Sequence, residues 1–186
     1  MDETEIAHLN RINVVGTSGS GKTTFSKLLA NKLEIRHIEL DAIFWGPNWY
    51  WPPDEEFFEN VKNALNEHKK WVLDGNYTRT IPIKWQNVDA VIWLDYSFCR
   101  TLFQSLKRAL RRSLLKEELW QGTGNRESFR RTFFSKESII LWTLKTHAKV
   151  KIKYEKLMND SQYSKIHFIR LKSPSEASKF LSELNI

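Results

Sequence analysis

Residues 16 to 24 read GTSGSGKTT, and Gly16, Gly21, Lys22 and Thr23 meet the spacing G-x-x-x-x-G-K-[ST]. The apolar run INVVG (12–16) precedes this loop and a helical pattern follows it, the context in which such a loop cradles phosphate. Across Gly16, Ser18, Gly19, Ser20 and Gly21 the backbone can wrap an anion with several N–H groups at a helix N-terminus. Lys22 would reach the terminal phosphates of a nucleoside triphosphate, and the Thr23 hydroxyl, followed by Thr24, suits a Mg2+ ligand. The implied chemistry is the binding of Mg-ATP.

Three aspartates end apolar runs: Asp41 after RHIEL, Asp74 in WVLD and Asp95 in AVIWLD. Open parallel sheets bind ligands beyond the carboxyl ends of their strands, so these carboxylates could converge there. Asp74 is followed by GNYTRT, which adds Arg79 as an anion-binding group. Asp41 has two readings of equal standing. It could be a base that takes the proton of a hydroxyl acceptor, or a cap on the next helix. For Asp95 the structural reading, a cap or turn acceptor, is favoured.

The elements that must position these groups alternate between strand and helix patterns, which argues for a parallel sheet covered by helices on both faces. INVVG, RHIEL (36–40), WVLD (71–74), AVIWLD (90–95) and IHFIRL (166–171) read as strands. FSKLLANKL places Phe25, Leu28, Leu29 and Leu33 on one helical stripe. DEEFFENVKNALNEH has Asp54 placed as a cap and Phe57, Phe58, Val61 and Leu65 inward. Ser97 suits the start of FCRTLFQSLKRALRRSLL, and Ser173, Pro174 and Glu176 form a capping box for the terminal helix. The least periodic stretch is about 116–134, polar and arginine-bearing.

The 186 residues fit one domain, 1–186, with 41% apolar and 27% charged residues and no run long enough to span a membrane. A cytoplasmic protein is expected. The single cysteine, Cys99, reads as a buried structural thiol between Phe98 and Leu102. The five histidines are dispersed without metal-ligand spacing; His147 reads as a packed or surface residue. A formal charge of +7 implies an anionic partner, which phosphorylated small molecules and nucleic acid satisfy equally.

LDGNYTRT resembles the DGFPRT signature of adenylate and other nucleoside monophosphate kinases, and with the glycine-rich loop it places the chain beside that P-loop kinase superfamily. More closely, IELDAIFWGPNW, LDGNYTRT, ELW with GNRE, and IRLKSPSEA resemble the adenylate-kinase-related proteins labelled DNA topology modulation or FlaR-like, over nearly the whole chain. The resemblance implies a three-layer α/β/α fold with a five-stranded parallel sheet in the order 2-3-1-4-5, an acceptor-side segment at about 42–68 and a mobile lid at about 116–134. It implies a Mg-ATP-dependent phosphotransferase in which Lys22 and Thr23 hold phosphates and Mg2+, Asp74 orients Mg2+ waters, Arg79 holds the acceptor's phosphate and Arg108 assists at the donor.

Arg126 and Arg130, in the lid segment, are candidates to neutralise the moving phosphoryl group, with Arg131 nearby and Arg111 and Arg112 on the preceding helix. Two departures leave the acceptor open: Asn76 and Tyr77 replace phenylalanine and proline in the signature, and the lid has no arginine-arginine-aspartate pattern. Kinases of hydroxyl-bearing substrates in the same superfamily carry an aspartate where Asp41 stands. The rings Phe44, Trp45, Trp49, Tyr50 and Trp51 could stack on a ring-bearing acceptor, or pack a proline-bent loop. The competing reading is an ATP-binding regulator that acts on DNA, although no nucleic-acid-binding motif accompanies the charge.

Overall fold

The structure, a computed structural model, describes residues 9–115, 118–126 and 139–184, the last stretch with side chains from residue 145 onward. Five strands, β1 (Arg11–Gly16), β2 (Arg36–Glu39), β3 (Trp71–Asp74), β4 (Ala90–Leu94) and β5 (His167–Leu171), form one sheet. Its order is β2-β3-β1-β4-β5 and every neighbouring pair is parallel. The helices are α1 (Lys22–Lys32), α2 (Leu40–Phe44), α3 (Asp54–Asn66), α4 (Ile81–Lys84), α5 (Phe98–Leu115), α6 (Ile139–Met158) and α7 (Pro174–Glu183).

The central strands are mostly apolar, with Asn13 and Asp74 as buried polar exceptions, because both of their faces are covered, and successive residues point to opposite faces. Val15, Leu73, Val91 and Trp93 pack with Phe57 and Val61 of α3 and Tyr154 of α6. Val14, Val72, Ile92 and Leu94 pack on the other face with Phe25 and Leu29 of α1 and Ala177 of α7. Side chains of this size contribute roughly 1.5–3 kcal/mol each when fully buried, so the sheet is the rigid base from which the loops project. The expected three-layer P-loop kinase fold is the one observed.

Register aligns the strand ends that matter. Asp74 lies level with Val14 of β1 on one side and Glu39 of β2 on the other, and Gly16 lies level with Leu94. The glycine-rich loop therefore leaves the sheet centre beside the β3 carboxylate.

Three expectations are corrected. Leu28 is 52% exposed, because the buried stripe of α1 runs through Phe25, Ser26, Leu29 and Ala30 and a residue three positions after Phe25 falls off its edge. Cys99 is exposed, since the buried face of α5 follows Thr101, Ser105 and Ala109 and Cys99 lies about half a turn away. Asp54 is the first residue inside α3 rather than its cap, and its carboxylate binds Arg79. The terminal helix behaves as expected: Ser173 Oγ accepts from the Glu176 N–H at 3.1 Å and Glu176 Oε2 accepts from the Lys172 N–H at 2.8 Å. Among the described residues no helix is long and apolar enough to cross a membrane.

Candidate active site

The loop after β1 turns on glycines in backbone conformations that other residues avoid, with φ of 83° at Gly19 and 88° at Gly21. A Cβ on Gly19 would lie 1.9 Å from Ser105 Oγ, so the loop and α5 approach as closely as glycine allows. No side chain caps the N-terminus of α1, which leaves its first N–H groups and their partial positive charge for an anion. From α5, Ser105 Oγ donates to the Ser18 carbonyl at 3.3 Å and Arg108 Nη2 donates to Ser18 Oγ at 3.1 Å. Ser20 Oγ is buried with no hydrogen-bond partner among the described residues. Lys22 Nζ donates to the Thr17 carbonyl at 3.2 Å.

Asn76 fixes the first residue of the loop. Its Oδ1 accepts from the Gly16 N–H at 2.9 Å and its Nδ2 donates to the Gly16 carbonyl. That contact explains asparagine in the LDGNYTRT stretch: the amide offers a donor and an acceptor to one backbone unit.

Around Lys22 stand three carboxylates. Asp74 is 3% exposed and accepts a hydrogen bond from the Thr23 side chain; burial raises its pKa, opposed by Lys22 and by that hydrogen bond. Burial lowers the pKa of Lys22, opposed first by Asp74 and then by Asp41, while Arg108 adds to the lowering. Glu39 is raised by burial and by Asp74, and its Oε1 accepts from Trp120 Nε1 at 3.3 Å. Lys22 thus offsets carboxylates that repel one another in a poorly solvated place, where charge–charge interactions are strong.

Asp41 sits in the first turn of α2 but caps nothing with its side chain. Its Oδ1 accepts the Tyr77 hydroxyl at 2.7 Å. Burial, together with Asp41, pushes the Tyr77 phenol well above its ordinary pKa, so it remains a donor. Next to it, Arg79 donates to Asp54 at 2.5 Å, with its guanidinium 5.1 Å from the ring centres of both Phe44 and Phe57. Trp49 and Trp51 each pack edge to face against Trp45, and Trp120 from the 118–126 turn stacks on Trp45 with centroids 6.2 Å apart.

Of the residues expected from sequence, Gly16, Ser18, Gly19, Ser20, Gly21, Lys22, Thr23 and Thr24 line or open the loop, and Asp41, Asp74 and Arg108 stand around it. Arg79 lies beside Tyr77, against Phe44 and Phe57. Arg126 is exposed at the foot of the 118–126 turn, in a bridge with Glu118. Arg130 and Arg131 lie outside the described residues. Asp95 is structural: it accepts from Arg170 Nε at 2.9 Å and Nη2 at 2.5 Å, and Arg170 also reaches Glu155. His147 packs edge-on against Phe98 with Nε2 3.1 Å from the Tyr96 carbonyl oxygen. Sequence reasoning missed Glu39, Asn76 and Asn125. The available signal for Glu39 was its place at a strand end, two residues before Asp41.

A cleft of about 410 Å³ opens between the starts of α5 and α7, lined by Tyr96, Ser97, Arg100, Lys172, Ser173 and Pro174.

No protein-family model matches the chain, and no curated protein matches it in sequence. Among solved structures it is similar to shikimate kinase from Acinetobacter baumannii in complex with shikimate, with a TM-score of 0.56 at 16% identity, over 98% of this chain and 94% of that one. At that identity the likeness is one of fold: this chain has the P-loop kinase architecture.

Proposed function

We propose that the chain is a Mg-ATP-dependent phosphotransferase whose acceptor is a hydroxyl group on a small, ring-bearing molecule. The observation that carries this reading is Asp41, a carboxylate near Lys22 that already accepts a hydroxyl hydrogen, that of Tyr77 at 2.7 Å. A phosphate acceptor needs no base, whereas a hydroxyl acceptor gains from one at hydrogen-bond distance. The similar shikimate kinase was solved with shikimate, a hydroxyl-bearing acid, which supports the same acceptor class here.

The loop residues 16–24 and Lys22 hold and neutralise the phosphates, Arg108 approaches them from α5, and the cleft between Arg100 and Pro174 takes the nucleoside end. Thr23 with Asp74 suits Mg2+, the threonine as a direct ligand and the aspartate through water; the Thr23–Asp74 hydrogen bond already pairs these groups. When bound, Mg2+ neutralises charge on the phosphates being separated. Asp41 takes the acceptor's proton as the acceptor oxygen forms its bond to the γ-phosphorus. The bond from that phosphorus to the bridging oxygen breaks, and ADP leaves with the electron pair. The tryptophans of the 45–51 segment form the wall against which an acceptor ring packs, and Arg79 lies at its edge. Arg126 and Arg130 complete the neutralisation of the transferring group from the lid segment. The protein works in the cytoplasm as one domain.

The test is ADP release from Mg-ATP with a panel of nucleosides, sugars and hydroxy acids beside nucleoside monophosphates. One hydroxyl compound is expected to stimulate release. Lys22→Ala should abolish it, and Asp41→Asn should lower kcat at least 100-fold with the KM for ATP within about threefold. Stimulation by a nucleoside monophosphate alone would overturn the hydroxyl acceptor. ATP binding with no stimulation by any compound would turn the reading toward the DNA-acting regulator.

A further inference from the structure

The loop over the acceptor side holds two consecutive non-glycine residues in the left-handed region, Asn48 with φ of 56° and Trp49 with φ of 62°. Such a conformation is uncommon for any side chain and rarer for one as bulky as tryptophan, and it persists only where neighbouring contacts impose it. Beside the local Gly46–Tyr50 and Tyr50–Pro47 backbone bonds, those contacts come from a segment more than 70 residues away in the chain. Asn125 is 1% exposed, and both ends of its amide are spent on this loop: Oδ1 accepts from the Trp49 N–H at 2.8 Å and Nδ2 donates to the Gly46 carbonyl at 2.9 Å. The Asn48 N–H adds a longer contact to the Thr123 carbonyl at 3.4 Å.

The segment that supplies Asn125 is organised in its own right. Leu119 N–H donates to the Asn125 carbonyl at 2.9 Å, the Thr123 hydroxyl donates to the Trp120 carbonyl at 2.7 Å, and Glu118 Oε1 accepts from the Gly124 N–H at 2.7 Å. The same turn places Trp120 on Trp45 and its indole N–H on Glu39 at the end of β2. A preformed turn therefore grips the strained loop at one point and the carboxylate side of the site at another.

We infer that Asn125 is a positioning residue: it clamps the 46–49 loop to the 118–126 turn, so that the two form one cover whose aromatic inner wall sets the acceptor's place. An asparagine suits the task because one side chain must satisfy a backbone donor and a backbone acceptor away from water. Without it, the Asn48–Trp49 turn keeps the local Gly46–Tyr50 and Tyr50–Pro47 backbone bonds and the longer contact to Thr123 but loses its two short ties to the 118–126 turn, and it loosens, carrying Trp49 off Trp45 and Trp120. The inference rests on the reading of this face as the acceptor side, while the clamp itself is observable without any acceptor.

The test compares the full-length wild type with Asn125→Ala and Asn125→Asp, the latter keeping an oxygen for the Trp49 N–H while losing the donor to Gly46. Three measurements are made: chymotrypsin cleavage between residues 45 and 51, near-ultraviolet circular dichroism, and affinity for a fluorescent ATP analogue with Mg2+. Asn125→Ala should accelerate cleavage at least tenfold and weaken the tryptophan dichroism, with nucleotide affinity within twofold. Asn125→Asp should fall between it and the wild type, and decides the matter if the alanine variant does not fold. Cleavage within twofold of wild type and unchanged dichroism in either folded variant would overturn the clamp, as would equal loss of nucleotide binding, which would mean general disruption. With any compound of the panel that stimulates ADP release, Asn125→Ala should raise the acceptor KM at least tenfold and leave that for ATP within twofold. If no compound stimulates, the kinase reading fails while the cleavage and dichroism results still judge the clamp.

Discussion

Gly19 and Gly21 share a left-handed backbone but differ in surroundings, which separates two costs. A Cβ on Gly21 meets nothing within 4 Å, so Gly21→Ala should lose only the price of the backbone conformation, about 1–2 kcal/mol. A Cβ on Gly19 would overlap Ser105 Oγ at 1.9 Å and touch the Thr101 carbonyl at 3.0 Å, so Gly19→Ala must push α5 from the loop. Urea unfolding should show the larger loss for Gly19→Ala; equal losses would refute the tight packing. At this scale Lys22, Thr23 and Asp74 were legible because a contiguous motif or a strand end declares them. Glu39 and Asn125 were not, since their partners lie 81 and 76 residues away in sequence and only the fold brings them together. Asp41 was legible as a position, but not as a role. The Tyr77 hydroxyl on its carboxylate, and a backbone that makes Asp41 part of α2 rather than its cap, decide against simple capping.

Elements were read best where pattern and chemistry agreed. The capping box at Ser173 is one case, and Ser173→Ala should cost about 1 kcal/mol in urea unfolding, because the Glu176 N–H loses its acceptor. Unchanged urea stability in that variant would contradict the cap. The strands were legible as apolar runs because both faces of the sheet are covered. The helix α5 was misread at Cys99 because its inward face is partly polar: Thr101 and Ser105 turn toward the glycine-rich loop, so apolar neighbours gave the wrong phase. That polar face packs on the glycine-rich loop, and hydrophobic periodicity is blind to it.

For the molecule as a whole, Lys84 couples stability to pH. Its ammonium is 1% exposed, donates to the Gly75 carbonyl at 3.2 Å, and has its pKa lowered to about 7 by burial and by Lys153. In the unfolded chain a lysine titrates near 10.4, so between about pH 7 and 10 the unfolded state binds more protons and stability rises with pH, by up to about 1.4 kcal/mol per unit. Lys84→Met should flatten that rise, and the difference between variant and wild type should shrink from pH 6.5 to pH 9. Parallel pH profiles for the two proteins would remove Lys84 as the cause. The architecture was legible from alternating strand and helix patterns, while the joining of the 118–126 turn to the 46–49 loop was not, because no local pattern encodes a contact between two irregular segments.

The central claim, transfer of a phosphoryl group to a hydroxyl, is tested most directly by following the label from γ-phosphate-labelled ATP in the presence of the stimulating compound and Mg2+, then treating the product with hot acid. The account predicts an acid-stable phosphate ester that forms with the wild type, is nearly lost with Asp41→Asn and is absent with Lys22→Ala. Label in an acid-labile anhydride, or only in inorganic phosphate, would contradict it.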